Sequence, residues 1–165
     1  MSHQLRDQIL TAYDWTQTQL QKVFDAIPQD QFLHQPFPGA NHALWTMGHL
    51  ATVDQFFLKS VAGRDAALFD KYATIFFAKS TPSPNADAYP PLAAVREYYD
   101  SSRKAFRAWI ESLDDTQLAA PLPAEQQRFA PNFAGMLFRL LWHEGMHYGQ
   151  LTVLRKSLGL SPVRI

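Results

Sequence analysis

The chain has 165 residues, a formal net charge of zero and no cysteine. That length fits a single domain, residues 1–165, with enough apolar material to build a real core. The neutral balance argues against a general nucleic-acid binder or a polybasic membrane anchor, both of which need basic surface, and the lack of cysteine excludes disulfides, zinc fingers, iron–sulfur ligation and cysteine nucleophiles.

A first helix is predicted from about Gln4 to Ile27, on a stripe of Leu5, Ile9, Leu20, Val23, Phe24 and Ile27, with Pro28 as its stop. Pro36, Pro38 and Gly39 then break the chain. Asn41 is the expected N-cap of a second helix reaching Val61 or Ala62, and Gly63 its C-terminal cap. One stripe of that helix reads Trp45, His49, Thr52, Val53, Phe56. A short helix from Ala66 to Phe77 is followed by a proline-rich loop from Ser80 to Pro91. Pro90 and Pro91 suit the first turn of a third long helix, which runs to about Leu113.

The stretch from Asp114 through Pro121, Pro123 and Pro131 reads as irregular. Asn132 is placed to cap the last helix, which runs to Leu158 with Gly159 as its stop. Its stripe reads Met136, Leu140, His143, His147, Leu151, Leu154. Four long helical patterns without a convincing strand point to an all-α fold, a four-helix bundle with long loops between helices two and three and between three and four. Met1 to Asp7 carry both signs of charge and no apolar run, unlike a signal peptide, and no apolar segment is long enough to span a bilayer. A cytoplasmic protein with neither membrane nor nucleic-acid partners is therefore expected.

The chemistry concentrates in His143-Glu144-Gly145-Met146-His147. Histidines four apart on a helix stack one turn apart on one face. Facing a core, they lose hydration and stay neutral, and a neutral imidazole offers one lone pair to zinc, nickel, copper or iron(II). His49 lies in a similar apolar setting on the second helix. Three such ligands from two helices would leave one side of an ion open to water or substrate. The alternative reading of each is a hydrogen-bonded core histidine.

The same five residues match the zinc-metalloprotease pattern, in which the glutamate is the general base. Those enzymes take a third ligand downstream, and nothing after His147 is His, Asp or Glu. Glu144 remains a candidate proton acceptor or a residue behind the ligands, or else an ordinary charge at the helix edge. Gln150, three residues after His147, is a candidate to hydrogen-bond a ligand ring. His42 and Trp45, two turns and one turn before His49, are candidates to line a pocket. His3 and His34 look incidental, and Gly149 costs helix propensity, so a close helix approach or a ligand is expected there.

Trp45-Thr46-Met47-Gly48-His49-Leu50 and His143-Glu144-Gly145-Met146-His147-Tyr148-Gly149-Gln150-Leu151 resemble the two signatures of the DinB/YfiT-like superfamily, as does Leu154-Arg155-Lys156-Ser157-Leu158-Gly159-Leu160. The resemblance implies a four-helix bundle, often a homodimer, with a metal triad at His49, His143 and His147. It implies zinc, nickel or iron as the ion. Some members of that superfamily are transferases or isomerases that use mycothiol, bacillithiol or glutathione. The expectation is a metal-dependent enzyme in which the ion activates water or a low-molecular-weight thiol against a small-molecule substrate, as a hydrolase or thiol transferase does. A non-enzymatic metal- or ligand-binding stress protein and a metal-free dimerising bundle are the alternatives.

Overall fold

Prolines and left-handed glycines cut the chain into helical segments, and the computed structural model describes residues 4–65 and 67–164. Among them, α-helices form in the order α1 (Gln4–Asp25), α2 (Ala43–Ser60), α3 (Ala67–Phe76), α4 (Leu92–Glu111), α5 (Asp115–Ala119) and α6 (Phe133–Ser157). Among the described residues there is no strand, only an isolated bridge between Pro121 and Asn132. Nor is any helix among them long and apolar enough to cross a membrane.

The ends differ from expectation for local reasons. α1 stops at Asp25 because Ile27 N–H reaches back to Phe24 O, a tightened last turn before Pro28, which has no N–H to give. The N-cap of α2 is His42 and not Asn41: His42 has extended backbone, and its Nδ1 accepts from Trp45 N at 3.1 Å. Gly63 and Gly159 take the left-handed φ of +62° and +71° expected of the stops. The start of the short third helix at Ala66 falls outside the described residues, as does His3. The stretch after Asp114 is less irregular than expected, because Asp114 and Gln117 form a reciprocal capping box that nucleates α5.

α2 lies along α4 and α1 along α6, α1 also meets α4, and α3 folds onto α2. α2 and α6 touch each other only sparingly. Gly48 permits the α3 approach, because a Cβ there would lie 2.5 Å from the Phe76 ring.

The core divides along the helix axes into two apolar clusters. One gathers Leu20, Phe24, Met47, Leu50, Phe76, Val95, Leu151 and Leu154. The other gathers Ile9, Phe57, Phe106, Ile110, Leu118, Met136 and Leu137. Between them every long helix contributes a polar residue: Gln17 from α1, Asp54 and Gln55 from α2, Ser102 and Arg103 from α4, Glu144 and His147 from α6. Burying such a belt is costly unless its members pair with one another, so their partners decide what the belt is for.

Candidate metal centre

In the belt, His49 of α2 meets His143 and His147 of α6. The His143 Nε2 lies 3.2 Å from His49 Nε2 and 3.0 Å from His147 Nε2. One donor nitrogen from each ring lies within 4.8 Å of the others. The helix spacing of 143 and 147 sets two of these rings, and the α2 register sets the third.

Each of two rings is anchored from behind. His49 Nδ1 lies 2.7 Å from the carbonyl oxygen of Phe76, the last residue of α3. A carbonyl only accepts, so Nδ1 carries the proton and Nε2 keeps its lone pair. His147 Nδ1 lies 2.9 Å from Gln150 Oε1, which also accepts from Asn41 Nδ2 at 3.0 Å. The same reasoning leaves His147 Nε2 with a lone pair. Trp45 stacks on His49, with ring centroids 4.6 Å apart and planes within 9°, while its Nε1 donates to Ser80 Oγ.

His143 then faces two lone pairs at once. A proton on its Nε2 can serve one of these lone pairs well and leaves the other without a donor. Its Nδ1 is buried without a partner. The donor set fits a divalent ion: a tetrahedral centre with Zn–N bonds of about 2.0–2.1 Å needs nitrogens about 3.3 Å apart. Burial drives all three imidazoles toward the neutral state that ligation requires. His49 is lowered, His143 falls to about 4 and His147 to about 3, the last two depressed further by neighbouring imidazoles.

An apolar cleft of about 400 Å3 opens onto His49 and His143. Phe56, Phe77, Phe129, Leu140 and Trp142 line it, with Arg128 and Arg139. Thus α2 and α6 supply the floor, while Phe77 and Phe129 come from the connections after α3 and α5.

Glu144 turns away from this cleft. It is 3% exposed, not a charge at the helix edge. Its Oε1 accepts from Arg103 Nη1 and Nη2 at 2.8 and 2.7 Å, and its Oε2 accepts from Gln17 Nε2 at 2.9 Å. The same guanidinium holds Asp54, with Nη2 donating to Oδ1 at 2.8 Å and Nε 2.7 Å from Oδ2. Burial raises both carboxyl groups, and Arg103 opposes the rise.

His42, expected near the pocket, does not line the cleft. It is fully buried, with Nε2 3.0 Å from Ser83 O and 3.2 Å from Tyr89 Oη, and burial lowers it to about 4. It ties the 80s segment to the start of α2. His34 is half-buried, with Nε2 2.9 Å from Ser157 Oγ.

The helical fold and the histidine cluster define an all-α protein with a candidate metal centre at an open cleft. A family model of the DinB superfamily matches residues 12–151, and the chain belongs to that superfamily. No curated protein matches the chain.

Sequence reasoning missed Arg103, Asp54, Gln17, the Phe76 carbonyl and the arginines of the cleft. Asp54 carried a readable signal, a lone charge within the otherwise uncharged run from Ala43 to Leu58. Arg139 carried another, four residues before His143 and so on the same helix face.

Proposed function

We propose that this chain is a metal-dependent enzyme, a single-domain four-helix bundle built on α1, α2, α4 and α6. His49, His143 and His147 hold a divalent ion through Nε2, and three imidazoles suit zinc, nickel or iron(II). When bound, such an ion lowers the pKa of a water or a thiol and supplies a nucleophile near neutral pH. The observation that carries the reading is the proton shortage at His143, whose Nε2 faces two lone pairs at 3.2 and 3.0 Å.

The chain's own residues do the rest. The Phe76 carbonyl and Gln150 hold two rings in one tautomer, and Trp45 holds the plane of His49. The aromatic cleft admits a small-molecule substrate and limits water. A low-molecular-weight thiol as cosubstrate is the version the family likeness favours. Glu144 has both oxygens engaged, which favours a water over Glu144 as the proton acceptor.

Elemental analysis of untagged protein tests the centre. Wild type is expected to hold about one ion per chain, and His49→Ala and His143→Ala to hold none. Wild type that stays empty after incubation with zinc, nickel and iron(II) would return the histidines to the core.

A cytoplasmic homodimer is the expected state. Exposed Phe138, Met146 and Val153 on α6 support pairing through that helix, and Gly145 and Gly149 leave open space for a close approach. Light scattering at micromolar concentration giving a monomer mass, or fractionation placing the protein outside the cytoplasm, would end that part of the reading.

A further inference from the structure

The cleft above the histidines is apolar in its walls and positive at its edge. Phe56, Phe77, Phe129 and Trp142 form the walls, and none of its lining residues is Asp or Glu. Arg128 and Arg139 both lie over the same ring, with guanidinium carbons 4.9 and 5.7 Å from the Phe129 centroid.

The buried and half-buried arginines have a counter-charge or a fixed backbone seat, whereas Arg128 and Arg139 are exposed at the edge of the cleft. Arg103 has Asp54 and Glu144, Arg107 has Asp14, and Arg96 has Asp25. Among the described residues no carboxylate pairs with Arg128 or Arg139. Arg139 Nη1 donates to the carbonyls of Phe129 and Arg128 at 2.9 and 3.4 Å, which fixes the side chain and leaves its charge unanswered.

An anion seated beside that ring meets two positive charges and no carboxylate among the cleft's lining residues. Low-dielectric aromatic walls strengthen the attraction relative to open water. A guanidinium fork matches a carboxylate in plane and spacing, and an arginine pair reads it better than a point charge would.

We infer that the cleft takes an aromatic organic anion, its ring against the packed face of Phe56, Phe77 and Phe129 and its carboxylate on Arg128 and Arg139. This deepens the proposed function and rests on it only for the reaction; binding of the anion does not require the ion.

The test titrates phenylpropionate and its neutral amide into the full chain, metal-free and after zinc treatment, with zinc content measured on the same samples. Tryptophan fluorescence is the readout, since Trp142 lines the cleft and is 67% exposed. The carboxylate is expected to bind metal-free protein about tenfold more tightly than the amide, the scale of one charge-assisted pair. Arg128→Gln with Arg139→Gln is expected to erase that preference with the helical circular dichroism unchanged, and Arg139→Lys to keep part of it. Equal binding of acid and amide, or no saturable binding of either at millimolar concentration, would overturn the inference. So would acid binding that needs zinc and survives the double glutamine variant, because the ion would then be the anion's partner. A protein that takes up no zinc yet still prefers the acid keeps this inference and loses the metal centre.

Discussion

Two polar clusters share the middle belt, and they differ in whether they close on themselves. Arg103, Asp54, Glu144 and Gln17 meet one another's hydrogen-bonding needs within the fold. The three histidines, on α2 and α6, do not: anchors fill the outer nitrogens of His49 and His147 only and leave the inner nitrogens of all three facing each other. A closed cluster holds the fold together, because opening it exposes a buried charge. An unclosed cluster is a cost unless something else completes it. The difference separates a strap from a site, although both are buried and both join α2 to α6.

The comparison breaks most sharply at Arg103. Arg103→Met leaves two buried carboxyl groups without their cation and is expected to cost about 3–5 kcal/mol in urea unfolding. Adding Asp54→Asn and Glu144→Gln should restore much of that loss, since a neutral belt needs no counter-charge. If the single substitution leaves the urea midpoint unmoved, the strap reading is wrong.

Gln150→Leu aims at the other cluster. It frees the His147 ring to change tautomer, and a residue behind a ligand is worth about 10–100-fold in metal affinity. Competition against a chelator measures this, with unfolding stability of the metal-free protein expected to change much less than in Arg103→Met. A stability loss with unchanged affinity would make Gln150 a helix tie and nothing more.

Acid separates the two clusters by sign. The histidines have folded values below the ordinary 6.5, about 4 for His143 and about 3 for His147. Between 6.5 and those values the unfolded chain binds protons that the folded chain refuses, so their contribution to stability is full above 6.5 and shrinks as pH falls. Asp54 and Glu144 are raised from 3.8 and 4.5, so their contribution is full below those values and shrinks as pH rises. The two clusters oppose each other, so the histidine share is read as a difference: on acidification from pH 6.5, His143→Gln is expected to lose less stability, or gain more, than metal-free wild type. Equal slopes in urea midpoints against pH would refute the assignment.

How much of this was legible before folding follows from how local each feature is. His143 and His147 could be read as a pair because one helix turn relates them. His49 lies far upstream, and its link to them rested on the likeness of two motifs, since helix adjacency is not written in periodicity. The pairing within the strap was hidden for the same reason: Asp54, Arg103 and Glu144 sit on three helices, and Asp54 alone stood out, as a lone charge in an uncharged run. The choice of His42 over Asn41 as cap is one residue of register, with the Asn41 amide donating instead to Gln150. Phe77 and Phe129 belong to connections, where no repeat betrays which side chain turns inward.

Phe76 ends α3, and its carbonyl is one of those a helix terminus leaves without an intrahelical donor. His49 fills that vacancy, so one imidazole is at once a ligand candidate and a helix stopper. A cation on Nε2 makes Nδ1–H a stronger donor, and by thermodynamic reciprocity whatever frays the end of α3 weakens the hold on the cation by the same factor. Phe77 and Ala78, the next two residues, are already cleft wall. Amide exchange over residues 67–78 is expected to slow when zinc is added to wild type and not when it is added to His49→Ala. The fold would then carry news of what sits in its interior out to the surface that meets the next molecule.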